Sequence, residues 1–332
     1  MGVYIKGTGR YLPERVVTNE DFTKIVETSD EWITTRTGIK QRHLSNGEPT
    51  WYMGLQAAKQ AMASASITAE EIDLILHTSV TPDYQFPSMA CVLQGKLGAV
   101  HATGIDINCA CAAFVYAVDM AEKYLASGAY RNILIVSAEN LTKTVDYTDR
   151  STCVLFGDGA GAAVLSASDG MYASCLGAEG ENANKIVAEL APPQNAFMEP
   201  SLCPAYEKLV ELPAGKEHFM HMDGGEVYKF STRVIASSIE AACARAGITP
   251  ADLDWVVSHQ ANERIIQTGA SRLKLPLEKF YMNISRYGNT SSASIPIGLD
   301  EMAEQGLLKR GQKIALVGFG AGLVYGAAVL TY

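Results

Sequence analysis

Two distant stretches of this chain repeat each other without a gap: Ile67-Thr-Ala-Glu-Glu-Ile-Asp-Leu-Ile-Leu-His-Thr78 and Ile248-Thr-Pro-Ala-Asp-Leu-Asp-Trp-Val-Val-Ser-His259. An alanine-rich helical run precedes each copy, Leu55 to Ser66 and Ala236 to Gly247. The ends of the copies echo each other too, since Gly157-Asp-Gly-Ala-Gly-Ala-Ala-Val-Leu165 resembles Gly318-Phe-Gly-Ala-Gly-Leu-Val-Tyr-Gly-Ala-Ala-Val-Leu330. The period is far longer than the roughly 20 to 50 residues of a solenoid repeat. The chain is therefore predicted to be α/β and built from two duplicated halves, residues 1–170 and 171–332. Apolar strands alternate with helices in each half, which implies mixed sheets covered by helices. At 332 residues and 48% hydrophobic composition, there is enough apolar surface for both cores.

Three segments carry polar groups where packing residues would be expected. In Asp106-Ile-Asn-Cys-Ala-Cys-Ala-Ala-Phe114, an apolar run from Thr103 to Ile107 delivers a cysteine onto the first turn of a helical run, Ala112 to Ser127. First-turn N–H groups and the helix dipole favour a thiolate, so Cys111 is expected to be acidified and nucleophilic. Cys109 shares the period-two face of Ile105 and Ile107 and reads as packing. The strand Trp255 to Val257 ends in Ser258-His259-Gln260-Ala261-Asn262, which sets His259 at a strand's carboxyl end, where α/β proteins gather their chemistry. Asn289 lies in the turn Tyr287-Gly-Asn-Thr-Ser-Ser-Ala-Ser-Ile-Pro296 before another helical run. Taken singly, each has a plainer reading: a small buried cysteine, a satisfied core histidine, a helix-capping asparagine.

Taken together, Ala-Cys111-Ala-Ala-Phe, His259-Gln-Ala-Asn and Tyr-Gly-Asn289-Thr-Ser resemble the Cys-His-Asn triad of the β-ketoacyl-acyl carrier protein synthase III family, the initiating condensing enzymes of type II fatty acid synthesis. The likeness runs nearly end to end. It includes Ile5-Lys-Gly-Thr-Gly-Arg-Tyr-Leu-Pro-Glu14, Thr28-Ser-Asp-Glu-Trp-Ile-Thr-Thr-Arg-Thr-Gly-Ile39, Tyr147-Thr-Asp-Arg150, Phe156-Gly-Asp-Gly-Ala-Gly-Ala-Ala-Val164 and Gly318-Phe-Gly-Ala-Gly322. The resemblance implies the five-layered αβαβα thiolase fold, with Cys111 from the first half meeting His259 and Asn289 from the second. It also implies oxyanion donors at the Cys111 and Ala321 N–H groups. The family usually carries glycine where this chain has Ala113 and Ala321, and alanine keeps the N–H while losing the freedom to take φ > 0.

The same resemblance implies a short acyl-CoA primer condensed with malonyl-acyl carrier protein, with coenzyme A as part of the substrate and no separate cofactor. Trp32 and Arg36 sit four apart, on one face of a helix if that stretch is helical. A tryptophan plate and a guanidinium suit an adenine ring and a phosphate. Trp32 and Arg150 match positions that hold adenine, Thr28 matches one near that ring, and Gly224 and Asn262 match the pantetheine tunnel. Phe86 matches a residue that crosses a homodimer interface and closes the partner's acyl pocket. Lys229, Arg264 and Arg272 are candidates for a basic patch that receives the acidic carrier protein, although Glu263 lies beside Arg264.

Several alternatives are disfavoured. Gly318 to Gly322 contains no cysteine, unlike a thiolase, and Val80 to Gln85 contains no glutamate, unlike hydroxymethylglutaryl-CoA synthase. A transfer enzyme with a hydroxyl or amine acceptor, or a ketosynthase of secondary metabolism, keeps the fold but changes the acceptor. A more distant alternative is a noncatalytic partner that binds acyl carriers. Seven cysteines, an odd number, predict free thiols and a cytoplasmic setting. A net charge of −9 argues against general nucleic-acid binding. No membrane span or secretion leader is expected. His218-Phe-Met-His221 lacks further ligands, so no metal is expected. The stretch from Glu181 to Gly225, including Ala191-Pro-Pro-Gln-Asn195, is expected to form loops and short pieces near the substrate entrance.

Overall fold

The computed structural model describes residues 2–190, 196–197, 209–212 and 214–332. Its first five-stranded sheet runs, edge to edge, Gly2–Tyr11, Gly159–Ser168, Ile133–Glu139, Leu74–Thr78 and Thr103–Ile107. The second runs Tyr172–Ala178, Val324–Thr331, Lys313–Gly320, Trp255–Ser258 and Phe280–Tyr281. In both, the first two pairings are antiparallel and the last two parallel. The repeated sequence thus occupies equivalent places, because Leu74–Thr78 and Trp255–Ser258 are the fourth strands of their sheets.

Two helices, Ala113–Ala126 and Ser294–Glu304, lie between the sheets. Phe114, Val118 and Leu125 from one, and Ile295, Leu299 and Met302 from the other, share a core with Leu76 and Ile135 of the first sheet and Val257 and Leu316 of the second. Pro296 is tolerated because it falls in a first turn, where its missing N–H has no intrahelical partner to lose. Helices Thr50–Ala65 and Met89–Leu97 cover the outer face of the first sheet, with Ala57, Ala61 and Leu93 against Ile75, Leu134 and Val136. Gly224–Arg245 and Glu263–Leu273 cover the second, with Ile239 and Ile266 against Val256 and Val317. Strands buried on both faces must be apolar at every position, which is why Ile133 to Val136 reads as a continuous apolar run. The result is the five-layered αβαβα architecture.

The irregular stretch contains a 3-10 segment, Gly180–Lys185, and a two-residue ladder of Ile186–Val187 with His221–Met222. The Ala191 to Asn195 segment and Cys203 lie outside the described residues. The six described cysteines are free. No helix among the described residues is long and apolar enough to cross a membrane.

One buried cation anchors the region that bears Trp32. Arg42 lies in the short strand Gln41–His43 with its side chain wholly buried. It donates to Asn19 Oδ1 at 2.9 Å, to Val17 O at 3.3 Å and to Val154 O, and sits 4.5 Å from the Phe22 ring centroid. Asn19 in turn donates to Ile39 O at 2.7 Å and Asp30 Oδ1 at 2.8 Å, fixing both ends of helix Asp30–Thr37. Burial pulls the guanidinium down to about 10, so it remains charged at neutral pH. Replacing Arg42 with methionine strips these acceptors of their donor, and an orphaned buried acceptor costs about 1–3 kcal/mol. R42M is expected to lower unfolding stability by about 2 kcal/mol or more in urea titration, and an unchanged midpoint would show that the network contributes nothing.

Candidate active site

The strand Thr103–Ile107 delivers Cys111 as expected, but onto a 3-10 turn, Ala110–Ala112, and not onto the α-helix, which begins at Ala113. Ala110 holds φ at +45°, a conformation that costs an alanine on the order of 1 kcal/mol. The opposite wall is the end of strand Lys313–Gly320. A Cβ on Gly320 would lie 2.8 Å from Cys111 N, and one on Gly318 would lie 2.7 Å from Ala112 Cα. Those glycines let two backbones touch where any side chain would hold them apart.

The expected acidification of Cys111 is corrected here. Burial pushes its thiol up to about 12, the nearby Glu139 charge adds to that, and a contact with Ser291 offsets part of it. Cys111 is half-buried and stands ahead of the α-helix, and loss of solvation outweighs the favourable first-turn field. Cys109 is half-buried, and burial raises its thiol as well. The alanines that replace the usual glycines are both accommodated: Ala113 has φ −58°, Ala321 is not among the positive-φ residues, and the loop's positive φ falls on Gly322 at +134°.

His259 leaves the end of strand Trp255–Ser258 with its N–H donated to Val317 O at 2.8 Å. Its Nδ1 lies 2.8 Å from Ser294 Oγ, and its ring packs edge-on to Phe319 at 5.3 Å. Burial lowers the imidazole to about 3, so it is neutral through the physiological range. Asn289 is fixed by its backbone to the first half, its N–H donating to Leu155 O and its C=O accepting from Gly157 N, both at 2.9 Å. Its Oδ1 accepts from Ser291 N at 2.9 Å. Asn289 Nδ2 makes no hydrogen bond among the described residues, and the Ser291 backbone lies near enough to the His259 ring to offset a little of the effect of burial.

Ser291 joins these groups. Its Oγ lies 3.3 Å from Cys111 Sγ, its N–H binds Asn289, and its carbonyl accepts from Ser294 Oγ at 2.9 Å, the same oxygen that faces His259. Behind it sits Glu139, wholly buried, accepting from Ser292 Oγ at 2.7 Å. Sequence reasoning missed Ser291, Ser294 and Glu139. The signal was present in the repeat: Asn108-Cys-Ala-Cys-Ala-Ala113 aligns with Asn289-Thr-Ser-Ser-Ala-Ser294 at the spacing of the two long stretches. The structures agree, since Asn108 Oδ1 accepts from Ala110 N at 3.3 Å as Asn289 does from Ser291 N, and Ser291 shares the positive φ of Ala110, at +51°. Cys111 and Ser292 are counterparts.

At the surface, Trp32 rides on helix Asp30–Thr37, with Arg36 Cζ 4.7 Å and Arg150 Cζ 5.1 Å from its ring centroid. Arg150 also donates to Glu27 O at 2.8 Å and lines a cleft of about 370 Å³ with Ile25, Val26, Glu27 and Thr148. Thr28 has a buried hydroxyl with no hydrogen-bond partner among the described residues. Asn262 caps helix Glu263–Leu273 and donates to Arg36 O at 2.9 Å, tying the second half to the Trp32 helix. Gly224, at the start of helix Gly224–Arg245, borders open space. Phe86 is 85% exposed. Of the basic candidates, Arg264 and Arg272 are exposed and make no ion pair among the described residues, whereas Lys229 is paired with Glu226 at 2.7 Å, which reduces its contribution to any positive patch.

Comparison with known proteins identifies the family. Residues 105–180 match the model of 3-oxoacyl-[acyl-carrier-protein] synthase III, and residues 243–332 match that of its C-terminal part. A β-ketoacyl-[acyl-carrier-protein] synthase III of Clostridium acetobutylicum is 44% identical, covering 99% of this chain and 98% of its own. The crystal structure of 3-oxoacyl-[acyl-carrier-protein] synthase III from Aquifex aeolicus VF5 superposes with a TM-score of 0.90 at 42% identity, covering all of both chains. The priming β-ketosynthase of the R1128 polyketide pathway superposes at 0.89 with 33% identity, covering 99% of this chain and 96% of its own. With an αβαβα fold of two matching sheets and a full-length likeness of this kind, the chain belongs to the β-ketoacyl-[acyl-carrier-protein] synthase III family.

Proposed function

We propose that the chain condenses a short acyl-CoA with malonyl-acyl carrier protein, releasing coenzyme A and CO2 and giving the 3-oxoacyl-carrier product that initiates fatty acid synthesis. The observation that carries this reading is the Ser291 turn, which reaches the Cys111 sulfur directly, Asn289 through its N–H and His259 through Ser294. In this reading residues 1–170 supply the nucleophile and residues 171–332 the decarboxylation groups.

Cys111 attacks the acyl thioester and becomes acylated as coenzyme A leaves. The oxyanion is held by the Cys111 and Ala321 N–H groups, a type of donor typically worth about 10²- to 10³-fold in rate. Malonyl-thioester then loses CO2, and the enolate charge falls on two neutral donors, His259 Nε2–H and the Asn289 amide. The Ser294 hydroxyl donates to Ser291 O in the structure; turned instead toward Nδ1, it places the ring proton on Nε2, where the histidine can present it. No base is required, which suits an imidazole that burial keeps neutral. Trp32, Arg36, Arg150 and Thr28 are assigned to the adenine and phosphate end of coenzyme A, with Gly224 and Asn262 along the pantetheine. Arg264 and Arg272, with Lys229 beside them, are assigned to the carrier protein.

The working form is a homodimer in the cytoplasm. Support comes from the outermost strand Thr103–Ile107, half exposed along an unpaired edge, and from Phe86, an aromatic ring in solvent, as a residue that enters a partner's pocket would be. The likeness to a priming β-ketosynthase keeps a second reading in view, the same condensation serving a secondary-metabolite pathway.

The test is to incubate the protein with a panel of acyl-CoAs and malonyl-acyl carrier protein and follow both proteins by intact mass. An acyl group on Cys111, followed by a 3-oxoacyl carrier, is expected; an acyl-enzyme that persists until a different acceptor is supplied would favour the second reading or simple transfer. C111A is expected to abolish acyl-enzyme formation, whereas N289A should leave acylation largely intact and stop condensation. Equal loss of both steps in N289A would refute the division of roles. Because His259 is depressed to about 3, malonyl decarboxylation should be flat from about pH 5 to about pH 8; a titration near pH 6.5 would mean that an ordinary histidine is in play. F86T should admit longer primers, and an unchanged chain preference would remove Phe86 from the pocket.

A further inference from the structure

Ser291 carries a hydroxyl that its own turn does not need. Its backbone holds φ at +51°, a region that residues with a side chain seldom enter, so neighbouring groups must impose the conformation. Three bonds do so. The Ser291 N–H donates to Asn289 Oδ1 at 2.9 Å, the Ser291 carbonyl accepts from Ser294 Oγ at 2.9 Å, and the Ala293 N–H donates to Thr290 O at 3.1 Å. None of them uses the Ser291 hydroxyl. The matching turn of the first half has the same form with no hydroxyl at this position: Ala110 takes φ +45° and its N–H donates to Asn108 Oδ1 at 3.3 Å. An alanine or a glycine at 291 would therefore serve the fold. What the hydroxyl reaches instead is the Cys111 sulfur, 3.3 Å away, and no other side chain among the described residues hydrogen-bonds that sulfur.

We propose that Ser291 is a catalytic residue whose hydroxyl donates a hydrogen bond to the Cys111 thiolate as that sulfur attacks the acyl group. The proposal rests on the condensing-enzyme reading for its substrate. A hydroxyl and a thiol can each donate to the other, but a thiolate can only accept, so ionisation fixes the direction of the bond. In the step, the Cys111 S–H bond breaks and its proton passes to water. The freed sulfur pair forms the S–C bond to the acyl carbon, while Ser291 keeps its own proton throughout. The C–S bond to coenzyme A breaks with its pair left on the coenzyme A sulfur, which takes a proton from water.

The surroundings make such a donor matter. Burial disfavours the thiolate, and the charge of Glu139, wholly buried behind Ser292, disfavours it further. His259, kept neutral by burial, brings no positive charge to balance them. The contact with Ser291 works against both effects. A hydrogen bond to an ionised partner is roughly twice as strong as one between neutral groups. Because the Ser291 backbone is fixed by its turn, the hydroxyl already stands beside the sulfur when the charge appears, and little reorganisation is needed.

The deciding variants are S291A and S291G, compared with the wild-type protein in two assays at neutral pH. One is the rate of Cys111 alkylation by iodoacetamide, followed by peptide mass; the other is single-turnover acylation by acetyl-CoA. Each variant loses a hydrogen bond to a charged group, so both rates should fall by about tenfold or more. Glycine adopts a positive φ freely, so S291G repairs any slackening of the turn without restoring the hydroxyl. Equal losses in the two variants are expected. Recovery of the wild-type rates in S291G, or unchanged rates in S291A, overturns the proposal. Faster alkylation in S291A overturns it too, because the hydroxyl would then be accepting from the thiol and holding it protonated. Should S291A fail to fold, S291G decides by the same two rates. Alkylation needs no acyl-CoA, so failure of the wild-type protein to accept any acyl-CoA overturns the condensing-enzyme reading instead, while the alkylation rates still judge Ser291.

Discussion

The site depends on two buried helices beginning at one point. Ala113–Ala126 and Ser294–Glu304 share the middle layer, each covered by both sheets, so neither can shift along its axis without opening the core that holds Phe114, Ile295 and Leu316 together. Each is entered through a 3-10 turn with an asparagine behind it and a positive φ at its first residue. The core therefore fixes, to within side-chain contact, where Cys111 and Ser291 stand. No bond between those two side chains has to do that work.

Duplication followed by divergence accounts for the asymmetry of function. At the spacing of the repeat, Cys111 corresponds to Ser292, His259 to Thr78 and Gly320 to Glu139. One turn carries the sulfur, with a glycine backbone pressed against it. Its counterpart carries a hydroxyl, with a buried carboxylate bonded to it and Thr78 Oγ1 at 3.2 Å. A duplicated scaffold thus presents a thiol on one side and a hydroxyl backed by a carboxylate on the other, within reach of each other because the two turns meet.

Much of this was legible in the sequence. The gapless repeat specifies the duplicated sheets, and the strand ends at Ile107 and Ser258 place Cys111 and His259 correctly, because apolar runs buried on both faces leave little ambiguity about what is strand. What pattern and spacing do not report is the environment of a side chain. The rule that a helix N-terminus acidifies a thiol is sound for an exposed cysteine, yet around Cys111 loss of solvation and the Glu139 charge reverse its sign. Likewise Lys229 reads as a free cation until Glu226, one helical turn away, is seen to hold it. The serines between Thr290 and Ser294 look like turn filler, and only three-dimensional contact distinguishes a hydroxyl that caps a turn from one that touches the Cys111 sulfur.

A buried site suits the two halves of the reaction differently. Enolate formation gains from it, because neutral donors held in a low dielectric stabilise a developing charge without first being reorganised by water. Acylation is hampered by it, because the same dielectric holds the thiol protonated. An enzyme that must do both with one cavity cannot lower the thiol pKa by admitting solvent without weakening the enolate donors.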